Sequence, residues 1–440
     1  MKLKLKSYKN LKPNFIIFLF LTLLSNSLIY LFQFYFYAES VDYFLCTEII
    51  SYKVNFFSSS IDLIYPESCD LKVYAEGVIN IFSFYNLAEF VYLDRPLFVL
   101  FISIIYKILN LLIFSSISSL AILKTSFFIG QLILTSLVCC YLFKIFNLVK
   151  INIGKSFLFF PWLVSISPMF KWHIFESTSM TFTFLIFLFG IYIILNNKNL
   201  DLKFYFFQVG LLFLFHRSAF LILIFFIVFK FIKKEINYRD LLKILNFFIP
   251  LFFYYSSIYL FSSFSDHQAE EYRQFVWILD YLQGKETKIG GYFCQSPKLA
   301  LICYFKDLIL LLKYLFLPSL INLILLINNY KKLTKPVKEL IFLVILFSLI
   351  INSFWLFIGW YPPVRFSYYG YGNFLIFLSI LIFINFHNNF SKIFYFLGYS
   401  SYFLLLNHWN SPVIVKINTL FIFSLIFFLL SVLNESFKKT

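Results

Sequence analysis

A few charged side chains stand inside or beside long apolar runs in this 440-residue chain. Four of them are Asp70, Glu176, Arg217 and Arg365, and His216 directly precedes Arg217. Ionisable residues at membrane depth are costly and rare, so each is a functional candidate. A carboxylate such as Asp70 can take a proton from a hydroxyl group within hydrogen-bond reach. An arginine offers a planar fork of donors suited to phosphate, so these residue types predict proton transfer beside an anion-binding site.

Each of these residues also has a purely structural interpretation. Asp70 fits an ordinary solvated loop, and Glu176 fits a cap at the positive end of the helix that follows it. Arg217 fits a side chain that extends to the membrane interface, and Arg365 fits an anchor among aromatic residues. His216 shares the break in the apolar stretch with Arg217. Position along the chain does not decide between the two interpretations.

The composition restricts the class of protein to membrane proteins. Apolar residues make up 61% of the chain and charged residues 13%, whereas soluble domains have about 45–50% and about 25%. This excludes soluble enzymes, nucleic-acid-binding proteins and disordered proteins. The formal net charge of +16 reports orientation, because Lys and Arg concentrate in cytoplasmic loops. Membrane lipids are therefore expected partners and nucleic acid is not.

The apolar runs predict an all-α fold, a single transmembrane domain over residues 1–440. If every run crosses, the basic breaks from Lys144 onwards fall outside; if 96–118 does not cross, they fall inside, as expected for cytoplasmic loops. We therefore predict about 12 transmembrane helices with both termini in the cytoplasm and an in-plane helix at 96–118. A crossing 96–118, or one long helix from 204 to 232, would change this parity. The runs are 14–37, 96–118, 125–146, 156–170, 177–195, 204–215, 218–232, 244–264, 307–327, 339–360, 373–386, 393–406 and 417–433.

Two large external elements follow from this topology: a first loop region at 38–124 with in-plane helices, and a second loop at 265–306. Each holds two cysteines, Cys46 and Cys69 in the first and Cys294 and Cys303 in the second. One disulfide in each loop would suit an oxidising exterior, and four free thiols fit the spacing equally well. Cys139 and Cys140 lie within an apolar run and are expected in the core. The short cytoplasmic loops contain no phosphate-binding glycine motif.

The order of these features resembles the GT-C superfamily, polytopic glycosyltransferases that use polyprenyl-phosphate-linked sugars, such as protein mannosyltransferases and lipid A aminoarabinose transferases. In that pattern an external Asp, Tyr and Ala are followed by a basic-Pro-Leu motif, an in-plane segment, a Pro-containing span and an acidic residue. An Arg inside an apolar stretch and a late Arg-aromatic pair come afterwards. The matching residues are Asp70, Tyr74 and Ala75; Arg95-Pro96-Leu97; Pro161, Pro168 and Glu176; Arg217; and Arg365-Phe366. Leu71 stands where many members have a second acidic residue.

The resemblance implies a transfer reaction on the external, periplasmic face of the inner (plasma) membrane, in the building of a cell-envelope glycan. A polyprenyl-phosphate sugar would enter from the outer leaflet with its phosphate held by Arg217 or Arg365. Asp70 would act as general base on the acceptor hydroxyl in one inverting displacement. Glu176, Tyr74, Arg95 and His216 would complete the binding site. The acceptor, whether glycan, lipid or protein, stays open, as does a need for a divalent metal; no cofactor is otherwise implied.

Two other classes stay open at this point. Phe215-His216-Arg217-Ser218-Ala219 resembles a stretch of one group of O-antigen and exopolysaccharide polymerases, which join lipid-linked oligosaccharides using arginines. A crossing 96–118 would favour that polymerase, and an in-plane 96–118 beside Asp70 would favour the transferase. A flippase for a lipid-linked sugar would need a polar pathway through both leaflets, and 244–264 and 307–327 contain few polar residues.

Overall fold

A computed structural model provides the structure of the chain. It describes residues 13–37, 50–56, 59–65, 74, 77–79, 95–112, 119–173, 181–196, 201–235, 237–261, 297–357, 368–386, 388–405 and 419–433.

These residues form a predominantly helical fold. Several helices begin or end in short 3₁₀ turns: Gly154–Phe159 leads into α4, Arg217–Phe220 into α8 and Leu245–Phe247 into α10. A π-helical turn, Tyr368–Gly372, leads into α13. The helices are α1 Phe15–Tyr37, α2 Pro96–Leu112, α3 Ser119–Leu148, α4 Phe160–Ser165, α5 Pro168–His173, α6 Phe182–Asn196, α7 Leu202–Phe215, α8 Leu221–Ile232, α9 Tyr238–Ile244, α10 Phe248–Phe261, α11 Pro297–Asn329, α12 Lys335–Phe357, α13 Asn373–Asn385, α14 Asn389–Leu405 and α15 Thr419–Leu433.

A β-hairpin follows α1 and was not expected from the sequence. The strands β1 (Ile50–Phe56) and β2 (Ser59–Tyr65) pair antiparallel. Their register sets Val54 opposite Ile61 and Lys53 opposite Asp62. Apolar and polar residues alternate along β1, which is the period-2 pattern of a strand. The region predicted at 38–124 therefore contains a hairpin in addition to helical residues.

The direction of α1 relative to α3 and α4 follows from side-chain contacts at both ends. The ring of Phe18 lies 6.1 Å from that of Phe157, and two turns later Asn26 Nδ2 donates a hydrogen bond to Ser165 Oγ at 3.0 Å. The segment from Phe157 to Ser165 therefore runs parallel to α1. α3 precedes this segment in the chain, and near the C-terminal end of α3 the ring of Phe143 lies 6.0 Å from that of Phe157. Hence α1 and α3 are antiparallel.

The same analysis orients the central helices. α8 and α12 are antiparallel, because Phe220 meets Phe354 with ring centroids 4.7 Å apart, while at the other end Lys233 Nζ lies 3.0 Å from Glu339 Oε1. α7 and α8 are also antiparallel and lie on either side of the break at His216, so the sequence prediction of two separate helices there is confirmed. Ring contacts mark the neighbouring interfaces: Tyr141–Phe189 for α3 with α6, Phe189–Tyr205 and Phe182–Phe215 for α6 with α7, Phe206–Phe226 for α7 with α8, and Tyr395–Phe428 with Tyr402–Phe421 for α14 with α15.

The bundle consequently has two chemically different ends. The basic end holds the breaks at 149–153, 233–237 and 330–334, and there Lys392 Nζ lies 2.9 Å from Ser156 Oγ. The site end holds the C-terminal ends of α1, α4, α7, α12 and α14 and the N-terminal ends of α3, α6, α8, α13 and α15. The sequence motifs around Arg95 and Arg217 lie at the site end.

The outer surface of the bundle is apolar. Phe20 on α1 is 65% exposed, Phe252 on α10 is 68% exposed and Ile327 on α11 is 64% exposed. Exposed apolar surface on this scale marks an interaction with another apolar phase or a partner. Among the described residues, two helices, Ser119–Leu148 and the Lys335–Phe354 part of α12, are long and apolar enough to cross a membrane.

Some helices begin inside the regions that the sequence predicts as loops. α11 begins at Pro297, within the predicted loop 265–306, so Cys303 lies in a helix. α3 begins at Ser119, within the predicted region 38–124, and Lys124 is buried within it. The run at 156–170 is broken into short helical pieces, because Pro161 and Pro168 each begin a new helical turn. Cys139 is buried and Cys140 half-buried, both as free thiols, which confirms the expected core position.

Candidate functional site

Arg95 and Tyr74 are joined directly at the start of α2. Arg95 Nη1 donates a hydrogen bond to the Tyr74 hydroxyl oxygen at 2.5 Å. The tyrosine side chain is 2% exposed, and its ring packs edge-on against Phe98 and Phe127 at 5.5 and 6.3 Å. The rings fix the position of the hydroxyl, and the hydroxyl fixes the guanidinium. Two motif residues that are 21 positions apart in the chain therefore form one unit.

α2 is positioned by a narrow contact with α3. A Cβ added at Gly130 would overlap Ile102 Cδ1 and lie 3.3 Å from the ring of Phe101. A side chain at this position would require Ile102 to shift, so Gly130 lets α2 approach α3 closely without that adjustment. Ser103 Oγ also donates a hydrogen bond to the carbonyl oxygen of Val78 at 2.7 Å. These contacts hold the N-terminal end of α2, and with it Arg95, at the site end.

His216 and Arg217 occupy the break between α7 and α8. His216 ends α7 in an extended conformation with φ −158° and ψ 123°, and Arg217 begins the 3₁₀ turn. His216 Nδ1 accepts a hydrogen bond from the Ser218 backbone N–H at 3.3 Å and lies 2.7 Å from Ser218 Oγ. This local arrangement caps the turn, as Asn or Asp does elsewhere. The His-Arg break is thus a built turn with both side chains at the site end.

The two basic motifs converge on His216. The ring is 4% exposed and lies outside both helices. Burial, followed by the positive charges of Arg95 and Arg217, lowers the pKa of His216 well below its usual value. Beneath this group, Phe215 stacks on Phe182 with ring centroids 4.9 Å apart. Arg95, His216 and Arg217 therefore form a positively charged group on an aromatic base, which is called the arginine–histidine cluster below.

Two buried lysines at the same end were not predicted as site residues. Lys124 is 5% exposed and Lys171 is 1% exposed. Lys171 Nζ donates a hydrogen bond to the carbonyl oxygen of Phe403 at 2.6 Å, at the C-terminal end of α14. Burial lowers the pKa of Lys171 to about 7, whereas the negative end of a helix favours the charged amine. Lys124 and Lys171 each directly border one of the apolar runs, 125–146 and 156–170, which is a signal that a sequence search for charges beside apolar runs would find.

A small cavity lies behind the His-Arg turn. Ser218 and Thr183 contribute to its wall, together with Asn373 at the start of α13. Asn373 is fully buried, and neither atom of its amide has a hydrogen-bond partner among the described residues. The cavity has room for about one water molecule. The cavity wall therefore contains residues of both the His216 turn and α13, the helix that follows the predicted Arg365 motif.

The acidic side chains that the structure describes lie far from the arginine–histidine cluster. They belong to the basic end, where they cap helices or pair with lysines, for example Asp240 with Lys243 at 2.9 Å. These residues are Asp201, Glu235, Asp240 and Glu339. The described part of the chain contains no group of three His, Cys, Asp or Glu side chains that could hold a metal ion.

Several predicted site residues lie outside the described residues. The structure brings together Tyr74, Arg95, His216 and Arg217. The predicted residues that lie outside are Asp70, Glu176, Arg365, Cys46, Cys69 and Cys294. The disulfide predictions stay predictions.

Comparison of the chain with protein-family models, with curated proteins and with solved structures found no match.

Proposed function

We propose that the chain is a multi-pass membrane glycosyltransferase that moves a sugar from a polyprenyl-phosphate donor to an acceptor hydroxyl outside the inner (plasma) membrane. The observation that carries the proposal is the arginine–histidine cluster at one end of an apolar bundle. Two guanidinium groups on an aromatic base suit a phosphate, because Arg binds phosphate oxygens through paired hydrogen bonds. Fixed positive charge there would stabilise the anion that forms as the sugar leaves, typically by a few kcal/mol.

The helix directions support a topology with both termini in the cytoplasm. Since α1 and α3 are antiparallel, the segment 38–118 begins and ends at the same end of the bundle. The helix α2 has 17 residues and would reverse this parity if it crossed alone. An in-plane α2 beside the cluster agrees with the transferase interpretation. The directions established for α1, α3, α7, α8 and α12 are compatible with 12 crossings that leave the lysine-rich breaks in the cytoplasm.

In the proposed mechanism the phosphate of the donor lies between Arg95 and Arg217, with Arg365 as a further arginine for the same group. Asp70 takes the proton of the acceptor hydroxyl as its oxygen attacks the anomeric carbon. The bond from that carbon to the phosphate oxygen breaks in the same step, and the polyprenyl phosphate leaves with the electron pair. Phosphate is a competent leaving group, so no general acid is required.

The test is the substitution Asp70→Asn in the full chain, purified and reconstituted in lipid nanodiscs. Transfer from polyprenyl-phosphate sugars to added acceptors is expected to be abolished, because an amide cannot accept the proton. Asp201→Asn, at the opposite end of the bundle, is the matched control and is expected to leave transfer unchanged. Normal turnover by Asp70→Asn would remove Asp70 as the base.

The same preparation distinguishes the polymerase alternative, which the His216-Arg217-Ser218 turn keeps relevant. A polymerase would lengthen lipid-linked oligosaccharides, and it would depend on Arg217 but not on Asp70. Elongation that survives Asp70→Asn and is lost in Arg217→Gln would favour the polymerase over the transferase.

A further inference from the structure

The protonation of the His216 ring follows from its hydrogen bonds. Nδ1 accepts from the backbone N–H of Ser218 at 3.3 Å, and the Ser218 hydroxyl lies 2.7 Å from the same nitrogen. A ring nitrogen that accepts an N–H bond has no proton, so in the neutral ring the proton is on Nε2. Ser218 thus selects the tautomer in which Nε2 is a donor.

Nε2 itself is buried and has no hydrogen-bond partner among the described residues. A buried donor without an acceptor is costly, and folded proteins rarely retain one without a purpose. The ring does not accept from either arginine through Nε2, because that nitrogen has the proton. Nε2 therefore lacks an acceptor oxygen, and no described residue supplies one.

The charge around Nε2 selects the type of acceptor. Arg95 and Arg217 are both close enough to act on the ring electrostatically, and Arg95 is oriented by its bond to Tyr74. Two guanidinium charges favour an anion over a neutral carbonyl or hydroxyl group. Burial, together with the two arginine charges, also favours the neutral ring. The Ser218 contacts to Nδ1 then leave the single ring proton on Nε2.

We propose that His216 binds an anionic phosphate oxygen as a neutral hydrogen-bond donor through Nε2, between Arg95 and Arg217, and that Ser218 is the positioning residue that fixes this tautomer. The inference rests on the proposed function for the identity of the anion as a lipid-linked phosphate. Phosphate from another source, such as free inorganic phosphate, has the same chemistry, and the experiment below separates the two.

The experiment measures binding of three probes to the full chain in nanodiscs by calorimetric titration: farnesyl phosphate, farnesol and inorganic phosphate. His216→Leu removes the donor and keeps an apolar side chain of moderate size, whereas His216→Gln keeps an N–H donor. We expect farnesyl phosphate to bind His216→Leu about tenfold to a hundredfold more weakly than the wild type, the usual worth of a hydrogen bond to a charged group. His216→Gln is expected to recover most of that loss, and farnesol is expected to bind all three proteins equally.

Two controls separate local from general effects. Arg239→Gln removes an exposed positive charge at the basic end and is expected to leave all three probes unchanged. Nitrogen NMR of histidine-labelled protein, compared with His216→Gln, is expected to show His216 protonated on Nε2 alone, with or without farnesyl phosphate.

The outcomes discriminate between the inference and the proposed function. If His216→Leu binds farnesyl phosphate as well as the wild type does, or loses farnesol to the same extent, His216 is not the donor and the inference is wrong, although the transferase proposal survives. If inorganic phosphate binds the wild type and is weakened by His216→Leu, while farnesyl phosphate binds no more tightly, the anion site is supported and the lipid-linked donor is not. A wild type that binds no phosphate probe overturns the inference.

Discussion

The substitution Tyr74→Phe tests whether the hydroxyl of Tyr74 orients Arg95 for function. It removes one oxygen atom and leaves the ring, whose edge-on contacts with Phe98 and Phe127 do not involve the hydroxyl. The lost hydrogen bond, 2.5 Å long and made to a charged guanidinium, is of the kind that contributes about 1.5–3 kcal/mol. We expect the free energy of unfolding to fall by about this amount. We also expect kcat/KM for transfer to fall about tenfold to a hundredfold, since 1.4 kcal/mol corresponds to a factor of ten.

The matched control for this prediction is Tyr106→Phe. Tyr106 lies on the buried face of α2 and is 6% exposed, and the structure gives its hydroxyl no hydrogen bond to a described residue. The control is expected to change the free energy of unfolding by less than about 0.5 kcal/mol and transfer hardly at all. Thermal unfolding in nanodiscs and the transfer assay measure both quantities. Equal effects of the two substitutions would refute the view that Tyr74 orients Arg95.

Two further predictions concern packing and burial. Gly210→Ala is expected to destabilise the fold by about 1–3 kcal/mol, measured by thermal unfolding, because the new Cβ would overlap the backbone carbonyl oxygen of Phe247, which cannot move aside as a side chain can. Lys171→Met is expected to remove a pH dependence of stability. The pKa of Lys171 is about 7 in the fold and its ordinary value is 10.5, so between these values the unfolded chain binds the extra proton and wild-type stability rises with pH. Parallel pH profiles for wild type and variant would show instead that the carbonyl of Phe403 keeps the amine charged.

The sequence predicted the helical pieces better than their boundaries. Proline positions explain why 156–170 is broken, because Pro begins a helical turn readily but cannot continue one. The polar pair His216-Arg217 correctly separated α7 from α8, since a histidine and an arginine in an apolar stretch are costly unless the chain turns there. α11 begins ten residues before the predicted run at 307–327, because Lys298 and Lys306 interrupt the apolar pattern, although helices tolerate such residues on a polar face.

The hairpin at 50–65 shows a different limit of sequence analysis. Its alternation is present in the sequence, but a strong average hydropathy across the chain favours helices everywhere. Strand and helix are hard to separate in short apolar segments. The pairing of Lys53 with Asp62 depends on register, which the turn geometry sets and composition does not.

The convergence of Arg95 with His216 could not be predicted from the motifs, because it depends on how α2 packs. Gly130 allows Ile102 to approach α3. Phe98 and Phe101 near the start of α2 contact the stacked rings of Phe182 and Phe215, which form the base beneath that end of the helix. The sequence alone does not indicate which aromatic residues contact each other, because aromatic residues occur throughout this chain. Only the packed arrangement selects which phenylalanines meet.

That aromatic base has an electrostatic consequence for the cluster. Charges beside rings and away from water interact more strongly than they do in solvent, because the local dielectric constant is low. Arg95 and Arg217 are half-buried, and the Tyr74 hydroxyl accepts a hydrogen bond from Arg95. In the proposed site a phosphate between the two guanidinium groups would be attracted by both of them. The position of both arginines beside the buried His216 favours an anion-binding role over that of interfacial anchors, since an anchor requires no such neighbour.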